Sequence, residues 1–309
     1  MNKPKTDIAI VGAGPAGLTA SIYTGRSSME TKVFEEKQPG GQLWWSEKIE
    51  NYPGFPRGVD SFELAGHLAE QAKKFGAEII NEKVEKIKPL DNGFLIKTGK
   101  REIVSRGVII ATGASMKKLG VEGEKKFTGK GVSYCAVCDG PLYKDKVVGV
   151  VGGGNTACEE ALYLTKFARK VYLIHRRDRL RAVKSMRKKI EKSEKIDILL
   201  EEEVTQITGS GLVEKLLLKS GRTLEISGVF IFVGLSPNTD FIKEDFIKKD
   251  KGFIVTDGSF KTSRKGVYSA GDCRRGALRQ IVTASGEGAY AGEELRKYVE
   301  KKKGIAYDW

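Results

Sequence analysis

Two glycine turns of one design, Gly12-Ala-Gly-Pro-Ala-Gly17 and Gly152-Gly-Gly-Asn-Thr-Ala157, stand 140 positions apart in a chain of 309 residues. An apolar run precedes each turn and a helical pattern follows it. Residues 7–11 read as a buried strand entering Gly12, residues 15–27 as a helix and residues 31–34 as a second strand. Residues 146–151, 155–167 and 170–174 repeat that order. A βαβ unit is therefore written twice, with glycine where each turn needs it. The first makes the tight bend, the second lets a pyrophosphate approach the backbone, and the third, Gly17 in one copy and the small Ala157 in the other, lets helix pack on strand. The phosphates then meet a helix N-terminus, where unpaired N–H groups and the helix dipole favour an anion. Gly12, Gly14 and Gly17 are the contacts expected of the first turn, and Gly152, Gly154, Asn155 and Thr156 those of the second.

The two copies part company at the end of the second strand. The first has Glu35 there; the second has His175, followed by Arg176, Arg177 and, slightly later, Arg181. A carboxylate at that point accepts hydrogen bonds from a free ribose, whereas arginine accommodates a 2′-phosphate. The planar guanidinium fork makes the better phosphate clamp because it offers two charge-assisted bonds at once. The first unit is thus expected to take a nucleotide with unmodified ribose and the second to take NADP. Residues 178–192 read as a basic amphipathic helix whose charges mostly face solvent.

Between the turns lies Cys135-Ala-Val-Cys138-Asp139, a dithiol at the spacing that closes a small disulfide ring. The chain holds four cysteines in all, which suits a redox protein of the cytoplasm better than a disulfide scaffold. No run approaches the roughly 18 apolar residues of a membrane span, and Asp7 interrupts the start of any secretory signal. The expectation is a cytoplasmic protein with no membrane partner. The net charge of +14 would attract acidic partners, but the basic residues are interleaved with glutamate, as in Glu82-Lys-Val-Glu-Lys86, so no nucleic-acid function is expected.

With these motifs in place, the chain closely resembles the low-molecular-weight thioredoxin reductases, flavoproteins of bacteria and archaea. The resemblance covers nearly the whole length. It rests on the two glycine turns and on Gly40-Gly-Gln-Leu43, Glu50-Asn-Tyr-Pro-Gly-Phe55, Ala111-Thr-Gly-Ala114 and Cys135-Ala-Val-Cys-Asp-Gly140. His175-Arg-Arg-Asp178, Gly271-Asp272 and Arg279-Gln-Ile-Val-Thr283 extend it. It implies an α/β fold of two Rossmann-like nucleotide-binding domains of the three-layer ββα type, with the NADPH domain inserted into the FAD domain. Residues 1–117 and 243–309 are expected to build the FAD domain, and residues 118–242 the NADPH domain that carries the dithiol. The late glycine turn at residues 267–272 independently supports a first domain completed by the end of the chain. The turn-rich stretches 120–131 and 236–239 are where the crossovers are expected.

The same resemblance implies FAD in the first unit and NADPH in the second. Glu35 would hold the adenosine ribose, and Gly41, Gln42 and Asn51 would lie along FAD. Gly271 and Asp272 would meet its ribityl or pyrophosphate region, with Arg279 and Gln280 near the flavin. It also implies a homodimer. Asn155, Val137 and Cys273 depart from the family's usual residues, and none removes a group the chemistry requires.

Thiol–disulfide exchange needs an attacking thiolate and a group to manage the proton of the departing sulfur. Of the two histidines, His67 lies in an apparent helix and His175 belongs to the NADP site, which leaves Asp139 as the expected general acid/base. A zinc site would need four ligands, and Cys158 and Cys273 are isolated, so no metal is expected. Cys158 reads as a core residue. Cys273 reads as a buried inert thiol, although its place after Asp272 also allows a position near flavin. Trp44-Trp45 and the closing residues 306–309 stay open between packing and a surface role.

The expected path runs from NADPH to FAD, then to Cys135 and Cys138, and on to thioredoxin or a thioredoxin-like protein. By the family resemblance Cys138 would face the flavin and Cys135 would attack the acceptor. Because nicotinamide and dithiol both need the flavin, rotation of the inserted domain about its two crossings is expected. Two other classes remain open at this point: an NADPH oxidase or disulfide reductase serving a peroxidase or glutaredoxin-like partner, and a non-catalytic redox sensor.

Overall fold

The computed structural model describes residues 5–45, 48–243 and 245–305, with the side chains of Trp45, Lys48 and Cys138 outside that description. It divides into two units, residues 116–236 forming one and the residues on either side of them forming the other. The crossings lie at Ser115/Met116 and Ser236/Pro237. They fall there because the strands Ala114–Met116 and Leu235–Pro237 pair with each other. The glycine-rich stretch 120–131 lies inside the inserted unit and carries no crossing.

The first unit is built on a parallel sheet. Strand Lys5–Val11, seven residues long and buried after its first, lies between Thr31–Glu35 and Glu102–Ile110, parallel to both. Glu78–Asn81 extends the sheet on one side, and Val267–Ser269 joins Glu102–Ile110. A meander, Val84–Leu90 and Gly93–Thr98, pairs antiparallel with the outer part of Glu102–Ile110. Helices Pro15–Arg26, Ser61–Lys74 and Ile281–Lys303 cover one face through Leu18, Leu64, Leu68 and Leu295. The other face buries Phe34, Phe94, Ile96 and Phe246. Helix, sheet and meander make three layers, the architecture expected of the chain. The strands read as near-continuous apolar runs because both faces of a parallel sheet are buried.

The closing helix Ile281–Lys303 lies against Pro15–Arg26 at backbone distance. A methyl group at Gly288 would stand 2.1 Å from the Ala16 carbonyl oxygen, and one at Gly292 would stand 2.9 Å from that of Ala20. Glycine at these two points lets the end of the chain dock on the helix that begins the first turn. Farther along, Lys303 closes an ion pair with the partly buried Asp7 at 3.0 Å.

The second unit repeats the plan. Strand Val147–Val151 lies parallel between Lys170–His175 and Gly228–Ile231, with Ile196–Leu200 and Val132–Ser133 on the outer edges. Helix Asn155–Leu164 covers one face through Ala157, Cys158, Ala161 and Leu164. The antiparallel strands Val204–Thr208, Lys215–Leu218 and Thr223–Glu225 form the layer associated with the other face, which buries Ile207, Leu216 and Leu224.

A further expectation is corrected. The basic helix expected over residues 178–192 spans only Lys184–Glu191. Residues 181–183 are instead laced to the second glycine turn. The N–H groups of Arg181 and Ala182 donate to the Gly153 carbonyl at 2.6 and 3.1 Å, and that of Val183 donates to Asn155 Oδ1 at 2.9 Å. Tertiary hydrogen bonds override helical propensity there.

Gly288→Ala is expected to lower the stability of the first unit by about 1–3 kcal/mol, the usual scale of overpacking. Gly66→Ala, on an exposed helix face with open space around it, should raise stability by about 0.5–1 kcal/mol. Urea unfolding of the two variants beside the parent checks the opposite signs.

Candidate active site

At the first turn Gly12 adopts φ 101°, and a methyl group there would lie 2.4 Å from the Ala111 carbonyl oxygen. Gly17 packs its helix against the turn, since its methyl would fall 1.9 Å from the Gly12 carbonyl. Gly14 is the N-cap of helix Pro15–Arg26; no side chain caps that end, and the nearest atom to a methyl at Gly14 is the Gly41 Cα at 4.0 Å. Gly41, at φ 58°, packs against Gly14, where its methyl would stand 3.0 Å from the Gly14 Cα. Glu35 ends the second strand beside the turn. Its Oε2 accepts the Ala13 N–H at 2.8 Å and its Oε1 the Lys37 N–H at 3.0 Å. Each oxygen keeps lone-pair capacity for a hydroxyl group.

The remaining candidates of the first unit converge across great sequence distance. Gln42 Nε2 donates to Asp272 Oδ2 at 3.1 Å and to the Ala114 carbonyl at 3.2 Å. Asn51 Nδ2 donates to Gln280 Oε1 at 2.8 Å, and Gln280 is itself the N-cap of the closing helix. Burial pushes the Asp272 carboxyl up, against the opposing pull of Gln42 and of the Arg279 guanidinium. Arg279 holds a left-handed φ of 63° and lies over the Phe253 ring, 5.8 Å from its centroid.

Two residues absent from the sequence-based set hold Gly271 and Asp272 in place. Glu287, buried in the closing helix, accepts the Gly271 N–H at 2.7 Å and is paired with Arg274 at 2.5 Å. Gly271 needs its φ of 77° to make that turn. A glutamate on the buried face of a helix was the available signal, because such a group requires a partner.

The second turn has the same construction. Gly152 holds φ 150°, with a would-be methyl 2.4 Å from the Phe232 carbonyl oxygen. Gly154 is an open N-cap without a side-chain cap, and Asn155 and Thr156 lie exposed in the first turn of the helix. Asn155 Oδ1 is engaged by Val183, so its side chain organises the turn. His175 is 5% exposed and lies beneath Gly153, where a methyl would stand 2.4 Å from the imidazole. Burial first, then the charges of Arg181, Arg177 and Arg176, hold the His175 pKa below the ordinary histidine value. All three arginines are exposed, so their positive field converges on one solvent-facing patch.

Cys135 is disulfide-bonded and half-buried at the head of the short helix Ala136–Asp139. Ser133 Oγ accepts the Cys135 N–H at 3.1 Å and donates to the Cys135 carbonyl at 3.2 Å, a carbonyl that also accepts the Asp139 N–H at 3.2 Å. Asp139 is half-buried; burial and then its charge raise the pKa of Tyr143. The placement of the Cys138 side chain and of residues 306–309 lies outside the described residues. Cys158 and Cys273 are buried free thiols, both pushed up in pKa by burial. Trp44 is a packing residue, donating to the Pro39 carbonyl at 2.9 Å against the Phe62 ring. His67 lies on the exposed face of its helix.

The residues fit two dinucleotides, one at each turn. Each turn offers an uncapped helix N-terminus and a glycine without side-chain bulk, flanked by a carboxylate in one unit and by three guanidinium groups in the other. The model of the pyridine nucleotide-disulphide oxidoreductases matches residues 6–288. The chain is 44% identical over 306 residues to thioredoxin reductase of Peptoclostridium acidaminophilum, covering 95% of this chain and 97% of that protein. It is 43% identical to thioredoxin reductase of Bacillus subtilis, covering 96% and 95%. The crystal structure of Lactococcus lactis thioredoxin reductase (FR conformation) superposes with a TM-score of 0.90 at 38% identity, covering 96% of this chain and 99% of that one. The chain belongs to the pyridine nucleotide-disulphide oxidoreductases. It is a flavoprotein oxidoreductase whose cofactors are FAD and NADPH.

Protonating His175 costs more in the folded chain than in the unfolded one, so its contribution to stability is complete above the ordinary histidine pKa of about 6.5 and falls as pH drops below it. Denaturant unfolding between about pH 8 and pH 5 should show this loss. His175→Gln should flatten the part of the profile below about pH 6.5.

Proposed function

We propose that the chain is an NADPH-dependent thioredoxin reductase in which residues 1–115 and 237–309 bind FAD and residues 116–236 bind NADPH and carry the redox dithiol. The observation that carries this reading is the disulfide at Cys135, in the same unit as the exposed arginine patch at the second turn. A reducible sulfur pair and a site for a phosphorylated nucleotide are the two ends of one electron path.

When bound, FAD supplies the relay that takes a hydride from NADPH and passes the electron pair to a disulfide. The protein's part is to position and to manage charge. Gly12, Gly14, Gly17 and Gly41 leave backbone room for the FAD pyrophosphate, and Glu35 accepts from the ribose. Gln42, Asn51, Asp272, Arg279 and Gln280 hold the rest of FAD, with Gly271 making the turn that presents Asp272. Gly152, Gly154, Asn155 and Thr156 receive the NADPH pyrophosphate, and Arg176, Arg177 and Arg181 grip the 2′-phosphate around a neutral His175. A neutral imidazole suits that place, since it adds no further charge to the three guanidinium groups. Cys135 is the thiolate that attacks the disulfide of thioredoxin or of a thioredoxin-like protein; Cys138 resolves the mixed disulfide, and Asp139 manages the proton of the departing sulfur. The inserted unit turns about the paired crossings between its two tasks. The working form is a homodimer in the cytoplasm. Among the described residues no helix is long and apolar enough to cross a membrane.

Replacing Arg176 and Arg177 by Ala removes charge-assisted bonds worth about 1.5–3 kcal/mol. The KM for NADPH in thioredoxin-dependent turnover is therefore expected to rise about tenfold or more, with little change in the KM for NADH. A double variant that retains the parent's preference for NADPH would exclude this assignment.

A further inference from the structure

The residue that precedes Cys135 takes no part in the chemistry above, yet its side chain is tied down. Tyr134 Oη donates to Glu124 Oε1 at 2.5 Å. The same carboxylate accepts the N–H groups of Leu119 at 2.8 Å and Gly120 at 2.6 Å. Glu124 is 4% exposed. It follows Gly123, whose left-handed φ of 85° brings the backbone so close to Ile207 that a methyl would stand 1.9 Å from the Ile207 carbonyl. Lys118 Nζ lies 4.2 Å from the centroid of the Tyr134 ring.

The protonation states follow from these contacts. Burial alone would raise the Glu124 carboxyl. The hydrogen bonds from Tyr134, Leu119 and Gly120, with the charge of Lys118, outweigh it and hold the group below its ordinary range. Burial, then the bond to Glu124, pushes the Tyr134 phenol well above its ordinary value. At neutral pH the pair is a carboxylate accepting from a phenol, a charge-assisted and partly buried bond.

Two grips therefore meet at Cys135. Ser133 holds its backbone N–H and carbonyl. The Tyr134–Glu124 bond fastens the preceding residue to the loop Lys118–Gly120, just inside the crossing at Ser115/Met116. Closing a disulfide within one short turn is an intramolecular reaction. Its equilibrium depends on how well the backbone holds the two sulfurs within reach, which is an effective concentration.

We propose that Tyr134 and Glu124 are positioning residues for the dithiol: their hydrogen bond holds the Cys135 turn in its ring-closing geometry and so lowers the potential of the disulfide. The inference rests on the reading of Cys135 and Cys138 as the redox pair. Loosening the clamp favours the open dithiol and leaves a weaker reductant of the acceptor.

The test uses the FAD-loaded protein, equilibrated in mixtures of reduced and oxidised glutathione, with free thiols trapped by alkylation and counted by mass. In that exchange the protein disulfide breaks, one glutathione disulfide forms, and the protons of two glutathione thiols end on the two cysteines. Tyr134→Phe keeps the ring and its contact with Lys118 but loses the donor. It is expected to shift the equilibrium about tenfold toward the dithiol, equivalent to a potential about 30 mV less negative. Glu124→Gln should shift it in the same direction, and the double variant by less than the sum of the two, because both weaken the same contact. Tyr134→Phe alone decides the matter if Glu124→Gln does not fold. A Tyr134→Phe protein with the parent's thermal stability and flavin spectrum that titrates with the parent would overturn the proposal. A parent protein that shows no reversible dithiol would overturn the redox reading itself, and the clamp with it.

Discussion

Backbone proximity at two glycine turns is the constraint on which the rest of this molecule depends. At Gly12 and again at Gly152 a side chain would drive into a carbonyl oxygen that follows the neighbouring strand, at 2.4 Å from Ala111 in one unit and from Phe232 in the other. The strand, the turn and the next helix can come together only with hydrogen at that carbon. The helix then starts at a glycine N-cap with no side chain across its end, in both units. Its first N–H groups are left for an anionic ligand. A fold that stacks a parallel sheet under helices thereby produces a phosphate site at the carboxyl ends of its strands, twice in one chain.

Divergence between the copies begins one strand later. Glu35 is steered by two backbone N–H groups toward the place where a ribose edge would lie. In the equivalent position His175 is buried, and three guanidinium groups crowd the surface above it. On the proposed function, the charge of a few side chains makes the same scaffold prefer a free ribose in one unit and a phosphorylated one in the other. The first unit needs the end of the chain to be complete. Glu287 and Arg274 fix the turn that presents Asp272, and Gly288 lets the closing helix that carries Glu287 approach Pro15–Arg26, the helix after the first turn. The second unit is inserted where the entering and leaving strands pair with each other.

Much of this was legible in the residues, and the limits have a physical basis. The duplicated βαβ units, the glycine turns and the contrast between Glu35 and Arg176-Arg177 are local patterns, and periodicity and turn chemistry report local structure well. Helix Pro15–Arg26 and strand Lys170–His175 end within a residue of the pattern. What local pattern lacks is partnership. The basic stretch 178–192 has a helical composition, yet Gly153 and Asn155 draw its first part out of the helix. The stretch 120–131 is rich in turn residues, yet it lies inside a unit, where Gly123 packs against Ile207 and Gly131 against Val213. Glu124 with Tyr134, and Glu287 with Arg274, are pairs joined by tertiary folding. Sequence indicates only that a buried carboxylate must have a partner.

On the proposed function, the path of electrons from NADPH runs through two successive acceptors, the flavin and the disulfide at Cys135. Counting those electrons tests it most directly. Anaerobic titration of the FAD-loaded protein with NADPH should consume about two equivalents per flavin, one for each acceptor. Cys135→Ser, with its flavin intact, should consume about one. Equal uptake by the two proteins would contradict this path.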